Sequence, residues 1–187
     1  PVFARAAARI NAPIRLRRRA GGFDALLKAI VAQQLSVASA AAIWARVQAA
    51  GLTQEKRILS TTDTALREVG LSRQKIKYIR ALALADVDFD ALSAASTEEV
   101  VEVLTQISGI GVWTAEIYAM FSLGHQDVFP SGDLALQEAA KDLFAMNKRP
   151  SANALKTMAV DWSPWRAVAA HVLWAYYSAI KKREGIG

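Results

Sequence analysis

The residues best suited to chemistry lie in two short stretches, 106–116 (QISGIGVWTAE) and 125–144 (HQDVFPSGDLALQEAAKDLF). In the first, Gly109 and Gly111 bracket a turn with no room for a longer loop. Glycines there permit positive φ and let another backbone approach without a Cβ in the way. Successive N–H groups of such a turn, with a helix N-terminus behind it, form a concave set of donors suited to a phosphate. The carbonyls of Ile107 and Ile110 could hold a monovalent cation that bridges to that phosphate. Contacts of this kind position a duplex without reading it. An ordinary αα-hairpin with glycine at a helix C-terminus accounts for the turn on its own just as well. In the second stretch, Pro130, Ser131 and Gly132 lead into Asp133 at a helix start. An Asp there caps the helix by accepting a backbone hydrogen bond, and the helix N-terminus favours its negative charge. His125 and His171 are the only histidines, too few for a side-chain metal site.

Helices must position these residues. Apolar residues recur at helical spacing over 2–10, 23–34, 36–50, 63–69, 73–85, 97–107, 112–123, 133–145, 151–160 and 164–182, and no run alternates as a strand does. Local punctuation agrees. Ser72 can cap 73–85, Ser96 with Glu99 reads as a capping box, and Ser163 before Pro164 reads as a cap with a first-turn proline. The stretches 11–22, 51–62, 124–132 and 146–150 read as irregular. The fold class that follows is all-α.

Composition narrows the chemistry. The chain has 187 residues, 53% of them hydrophobic, which is enough for one large domain or two small lobes with a real core. It has no cysteine, so disulfides, thiolate zinc sites, cysteine-ligated iron–sulfur clusters and cysteine nucleophiles are all excluded. Lys and Arg number 23 against 17 Asp and Glu, a net charge of +6 that suits a polyanionic partner, nucleic acid before membrane, and suits mere solubility equally well. No apolar run is long enough to span a bilayer, so no membrane partner is expected. The Arg- and Ala-rich segment 1–22 reads as a basic arm of the folded domain rather than a transit peptide. The first residue is not Met, as trimming or processing would leave it.

The order LTQISGIGVWTAEIYAM…DVFPSGDLAL resembles the helix-hairpin-helix, Gly/Pro loop and aspartate signature of the DNA glycosylase superfamily. Three further stretches, 30–47 (IVAQQLSVASAAAIWARV), 70–83 (GLSRQKIKYIRALA) and 162–177 (WSPWRAVAAHVLWAYY), are similar to its 3-methyladenine DNA glycosylase II (AlkA-type) branch. The resemblance runs from about residue 20 to the last helix. It is to a compact form, without the N-terminal β domain that some members carry.

The resemblance implies two helical lobes with a cleft between them. One spans 23–130 and carries the hairpin 108–111; the other is formed by 1–22 plus 131–187 and carries the aspartate and the closing Trp helix. It implies that Asp133 is the catalytic carboxylate, stabilising an oxocarbenium-like sugar and orienting the attacking water. Bifunctional relatives have a lysine nucleophile where this chain has Trp113, so the activity implied is monofunctional: base release to leave an abasic site, with no strand cleavage. Trp113 and Trp174 become walls of the base pocket, where an indole face attracts a cationic alkylated base. Taken as a sequence feature alone, Trp at helical spacing reads as core, and Trp44, Trp162 and Trp165 are read as packing. A base within a duplex must be extruded to be cut, and the family places the intercalating plug in the segment that here offers Gln34 and Leu35. Gly109, Gly111 and Thr114 become the backbone grip. Arg73, Lys75 and Lys77 are phosphate-contact candidates, because basic residues at a helix start oppose its dipole; a solvated face explains them too.

No cofactor is required by this reading, beyond the cation that the hairpin carbonyls could hold. The implied partner is double-stranded DNA with alkylated bases, met by a monomer, in the cytoplasm or nucleoid of a bacterium or the nucleus of a eukaryote. Members differ at the positions of Ile117, Tyr118 and Leu134, so the preferred base stays open. Two other readings also stay open: a non-catalytic hairpin module that grips DNA backbone, and a helical interaction domain without a nucleic-acid partner. The first leaves Asp133 and its flanking indoles unexplained; the second explains only the helices.

Overall fold

The computed structural model describes residues 2–10, 13–14 and 18–181. Parts of the N-terminal basic segment (11–12 and 15–17) and residue 182, at the end of the last expected helix, lie outside the described residues. Among the described residues the chain is helical, with no strand. The α-helices are α1 (Val2–Ala8), α2 (Phe23–Ala32), α3 (Val37–Ala49), α4 (Glu55–Ser60), α5 (Asp63–Glu68), α6 (Arg73–Leu84), α7 (Phe89–Ala94), α8 (Thr97–Thr105), α9 (Val112–Tyr118), α10 (Leu134–Leu143), α11 (Ala152–Met158) and α12 (Arg166–Lys181). A π turn, Ala119–Leu123, continues α9, and a 3₁₀ turn, Ala159–Trp162, precedes α12. No helix among the described residues is long and apolar enough to cross a membrane.

The expected caps form where the chain supplies them locally. Ser72 accepts from Lys75 N–H, and Ser96 and Glu99 complete a reciprocal capping box on α8. Four local expectations change. Helices α4 and α7 occupy stretches not read as helical: each has six residues and buries one apolar side chain, Ile58 or Leu92, so neither shows a period. The helix expected over 112–123 gives way to a π turn at Ala119, where the Phe121 carbonyl accepts from Arg19 N–H at 2.8 Å. Ser163 does not cap α12, which starts at Arg166; its hydroxyl donates instead to Asp127 Oδ2 at 2.8 Å. Trp165, read as packing, is 57% exposed.

The chain divides into two compact units, residues 19–123 and residues 1–18 with 124–187. The boundaries therefore shift from those expected. Residues 19–22 join the hairpin unit, because Gly22 N–H donates to the Tyr118 hydroxyl and Ser122 Oγ to the Ala20 carbonyl. Residues 124–130 join the unit of Asp133, because Ala167 N–H donates to the Gln126 carbonyl and Asp127 pairs with Arg166.

In the hairpin unit, α2 contributes Leu26, Leu27, Ile30 and Val31 and packs on α3 and α6; Ile76, Ile79 and Leu82 of α6 close the core. Helix α8 packs against α9 across the glycine turn. In the other unit α10 lies on α12, with Ala139 and Ala140 facing an alanine-rich helix whose Ala169 and Ala170 are also buried. Small side chains let the two backbones approach, which brings their functional groups into range. Trp162 meets Phe3 and Phe129, each at 5.2 Å between ring centroids and edge-on, so it packs as expected.

The Asp127–Arg166 pair pins the segment ahead of Asp133 to the start of α12. Arg166 Nε and Nη2 donate to the two carboxylate oxygens at 2.6 and 2.8 Å. The Arg166 hydrogen bonds come first among the causes that hold the Asp127 carboxyl at about 2, with Ser163 adding to them and burial opposing. A carboxyl depressed in the folded state stabilises it above its ordinary value near 3.8, and that contribution is lost as pH falls toward 2. With the pair partly solvated, the loss is about 1 kcal/mol. Urea unfolding of wild type and Asp127→Asn at pH 5 and pH 2 should show the wild type losing more stability on acidification than the variant. Equal losses would mean the pair does not stabilise the fold.

Candidate active site

Asp133 sits at the N-cap of α10, held by bonds that converge on one oxygen. Its Oδ1 accepts from Ala135 N–H at 2.9 Å, from Leu136 N–H at 3.1 Å and from the Trp174 indole N–H at 3.2 Å. The first two are ordinary capping bonds. The third crosses from α12, 41 residues away in sequence. All three of these bonds are made through Oδ1. The residue is 4% exposed, and its surroundings are polar on the loop side. There Asp133 N–H donates to the Pro130 carbonyl, Ser131 N–H to the Phe129 carbonyl, and Gln137 Nε2 to the Ser131 carbonyl. Gln137 is buried and locks the loop from one turn inside α10. Sequence reasoning missed it; its only signal was a polar residue on the apolar face of an amphipathic helix.

Trp174 is buried at 4% exposure, with the His171 ring edge-on at 5.7 Å. Its indole N–H is the fixed point that orients Asp133, a role the sequence did not suggest. His171 turns Nδ1 to the Ala167 carbonyl one turn earlier. No group of three His, Asp or Glu among the described residues is placed to hold a metal ion.

The hairpin unit holds the remaining candidates. Gly109 has φ +98, and a Cβ there would come within 2.3 Å of the Tyr78 ring, so both backbone and space require glycine. Gly111 differs from the expectation. Its φ is −92, open to any residue, and a Cβ would meet nothing within 4 Å. Among the described residues nothing requires glycine at 111. The hairpin closes with Ile110 N–H donating to the Ile107 carbonyl at 3.0 Å, and α9 begins with Ala115 N–H on the Gly111 carbonyl. Trp113, in the first turn of α9, is 39% exposed, whereas Thr114 turns its side chain inward and is buried.

Between α2 and α3 the chain turns through Gln33–Ser36. Gln34 has φ +56, a left-handed conformation costing a non-glycine residue about 1 kcal/mol, and it and Leu35 are exposed rather than packed. Arg73 and Lys77 of α6 are exposed as well. Lys75 is engaged inside the protein: its ammonium donates to the Val31 carbonyl in the last turn of α2, and burial lowers its pKa. A cation at a helix C-terminus is favourable there, so Lys75 has a structural duty that a phosphate role would have to share. A cavity of about 430 Å³ lies here, lined by Gln33, Gln34, Lys75, Tyr78, Gly109 and Gly111 among others. The wedge candidate Gln34 and the glycine turn thus border one space.

The chain is similar to known proteins in sequence and in fold. The family profile of the HhH-GPD superfamily of base excision DNA repair proteins matches residues 27–165. An alkylbase DNA glycosidase-like protein of Schizosaccharomyces pombe is 29% identical over 162 residues, 81% of this chain and 76% of that one. The crystal structure of a DNA-3-methyladenine glycosidase from Bacillus halodurans superposes with a TM-score of 0.84 at 33% identity, over 98% of this chain and 88% of that chain. A 3-methyladenine DNA glycosylase of Schizosaccharomyces pombe, in complex with abasic DNA, superposes at 0.79 and 27% identity, over 97% and 92%.

Proposed function

The chain belongs to the HhH-GPD superfamily of base excision DNA repair proteins, and from that premise we propose that it is a monofunctional DNA glycosylase. It hydrolyses the N-glycosidic bond of an extruded, alkylated base of the 3-methyladenine type and leaves an abasic site. The observation that carries this reading is the Asp133 carboxylate, fixed through Oδ1 by two capping N–H groups and an indole. A carboxylate oriented in advance stabilises positive charge developing on a sugar without reorganising as the bond breaks. The same carboxylate orients or deprotonates the water that attacks the sugar.

An alkylated purine carrying positive charge is already an activated leaving group, so one carboxylate is sufficient and no cofactor is needed. The half-exposed indole of Trp113 offers such a base a π face. It also stands where a bifunctional relative has its lysine, so no Schiff base forms at that position. Buried against Asp133, Trp174 acts chiefly by orienting the acid. Gly109 and Gly111 grip the phosphate backbone. A monovalent cation on the carbonyls of Ile107 and Ile110 is compatible, since a carbonyl has two lone pairs and Ile107 uses one on Ile110 N–H. Gln34 or Leu35 fills the gap in the stack. The protein acts as a monomer on double-stranded DNA.

The test is incubation with a methylated duplex. Free methylated base should appear, abasic sites should accumulate, and strands should break only after alkali. Binding to duplex should weaken steeply as salt rises, because released counterions drive it. A nick without alkali would refute the monofunctional assignment. Salt-sensitive binding with no base release would leave a non-catalytic backbone grip.

A further inference from the structure

The wedge turn and the glycine hairpin are separate in sequence but joined by one side chain. Gln33 Nε2 donates to the Gly109 carbonyl at 2.8 Å, across 76 residues. Gln33 is the C-cap of α2, with its own N–H on the Ile30 carbonyl. The next residue, Gln34, reverses to positive φ and turns outward. Two neighbours from α6 brace the same link. Lys75 holds the Val31 carbonyl at the end of α2. Tyr78, almost one helical turn further on, lays its ring where a Gly109 Cβ would be.

We propose that Gln33 is a positioning residue that fixes the base-extruding turn to the phosphate-gripping hairpin. This rests on the glycosylase reading above and on the wedge lying at Gln34 or Leu35. The physical need is mechanical. A stacked, paired base resists extrusion, and that resistance pushes back on whatever enters the stack. A wedge on a compliant turn yields. A wedge tied to the element that holds the DNA backbone does not, because the backbone is then fixed relative to the wedge. A left-handed glutamine persists only when its surroundings over-determine it, and the Gln33 bond, the Lys75 brace and the Tyr78 ring supply that.

The experiment compares full-length wild type with Gln33→Met, which keeps length and bulk and loses the donor. Single-turnover base release is measured on a duplex with one methylated purine, either paired or in a one-nucleotide bulge that needs no unpairing. The variant should release the paired base about tenfold more slowly, the size of one lost hydrogen bond. It should release the bulged base, and bind an abasic duplex, within about twofold of wild type. Gln33→Glu, which sets an acceptor against the carbonyl, should reproduce the defect. An equal loss on both substrates would reduce Gln33 to a structural support and overturn the proposal, as would no loss on the paired one. Extrusion is read separately by the fluorescence of 2-aminopurine beside the lesion at saturating protein. Wild type should raise it and Gln33→Met should not. A wild type that unstacks DNA but releases no base would overturn the enzymatic reading and spare this one; equal fluorescence from both proteins would overturn this one.

Discussion

Asp133→Asn is expected to fold like wild type and to release methylated base about 10²–10³-fold more slowly, the usual scale for losing a pre-oriented electrostatic group. On the proposed mechanism the two effects separate, because Asp133 then does two jobs. As an N-cap, Asn serves as well as Asp. Its amide oxygen can accept the same bonds from Ala135, Leu136 and Trp174 that Oδ1 accepts now. Stability should therefore change by less than about 1 kcal/mol. The charge is what goes, and with it the interaction that strengthens as the sugar becomes cationic. Thermal unfolding and single-turnover release on the same preparation check both halves. Equal release rates would remove Asp133 from the reaction and leave it a cap. Asp133→Ala is the poorer variant, since it loses cap and charge together.

The second large effect contrasts two glycines two residues apart. Gly109→Ala should cost about 2–4 kcal/mol of stability, combining an L-residue in a left-handed conformation with displacement of the Tyr78 ring. Gly111→Asn should leave stability unchanged or slightly raised. Its φ of −92 suits Asn, which is also the better N-cap for α9, and space is open around it. The same change should weaken duplex binding about tenfold, because a side chain then stands where the DNA backbone comes close. Urea unfolding and binding titrations at one fixed salt concentration read the pair. Unchanged binding by Gly111→Asn would return the turn to an ordinary helix connection. Unchanged stability in Gly109→Ala would mean the Tyr78 contact gives way easily.

Local features were legible and distant ones were not. The capping box of Ser96 and Glu99, the Ser72 cap and the Asp133 cap all join residues two or three apart, and each formed as the sequence suggests. The expectation for Ser163 failed because its hydroxyl is claimed by Asp127, 36 residues earlier. Helices α4 and α7 were missed because a six-residue helix with one buried side chain shows no period. Gly111 looks like Gly109 in the sequence, although only at 109 do the conformation and Tyr78 demand glycine. The structural bond of Lys75 has no local sign, because the carbonyl it holds, Val31, is 44 residues away.

Residue order alone, then, determined an all-α chain, the hairpin, the capped aspartate and the absence of thiol chemistry, because helices and caps arise from neighbours within one or two turns. Tertiary structure decided that the Trp174 indole N–H reaches Asp133, and that Gln33 ties one turn to another. Both depend on close helix packing within a unit, which brings together atoms 41 and 76 residues apart along the chain, and no local pattern encodes such a meeting.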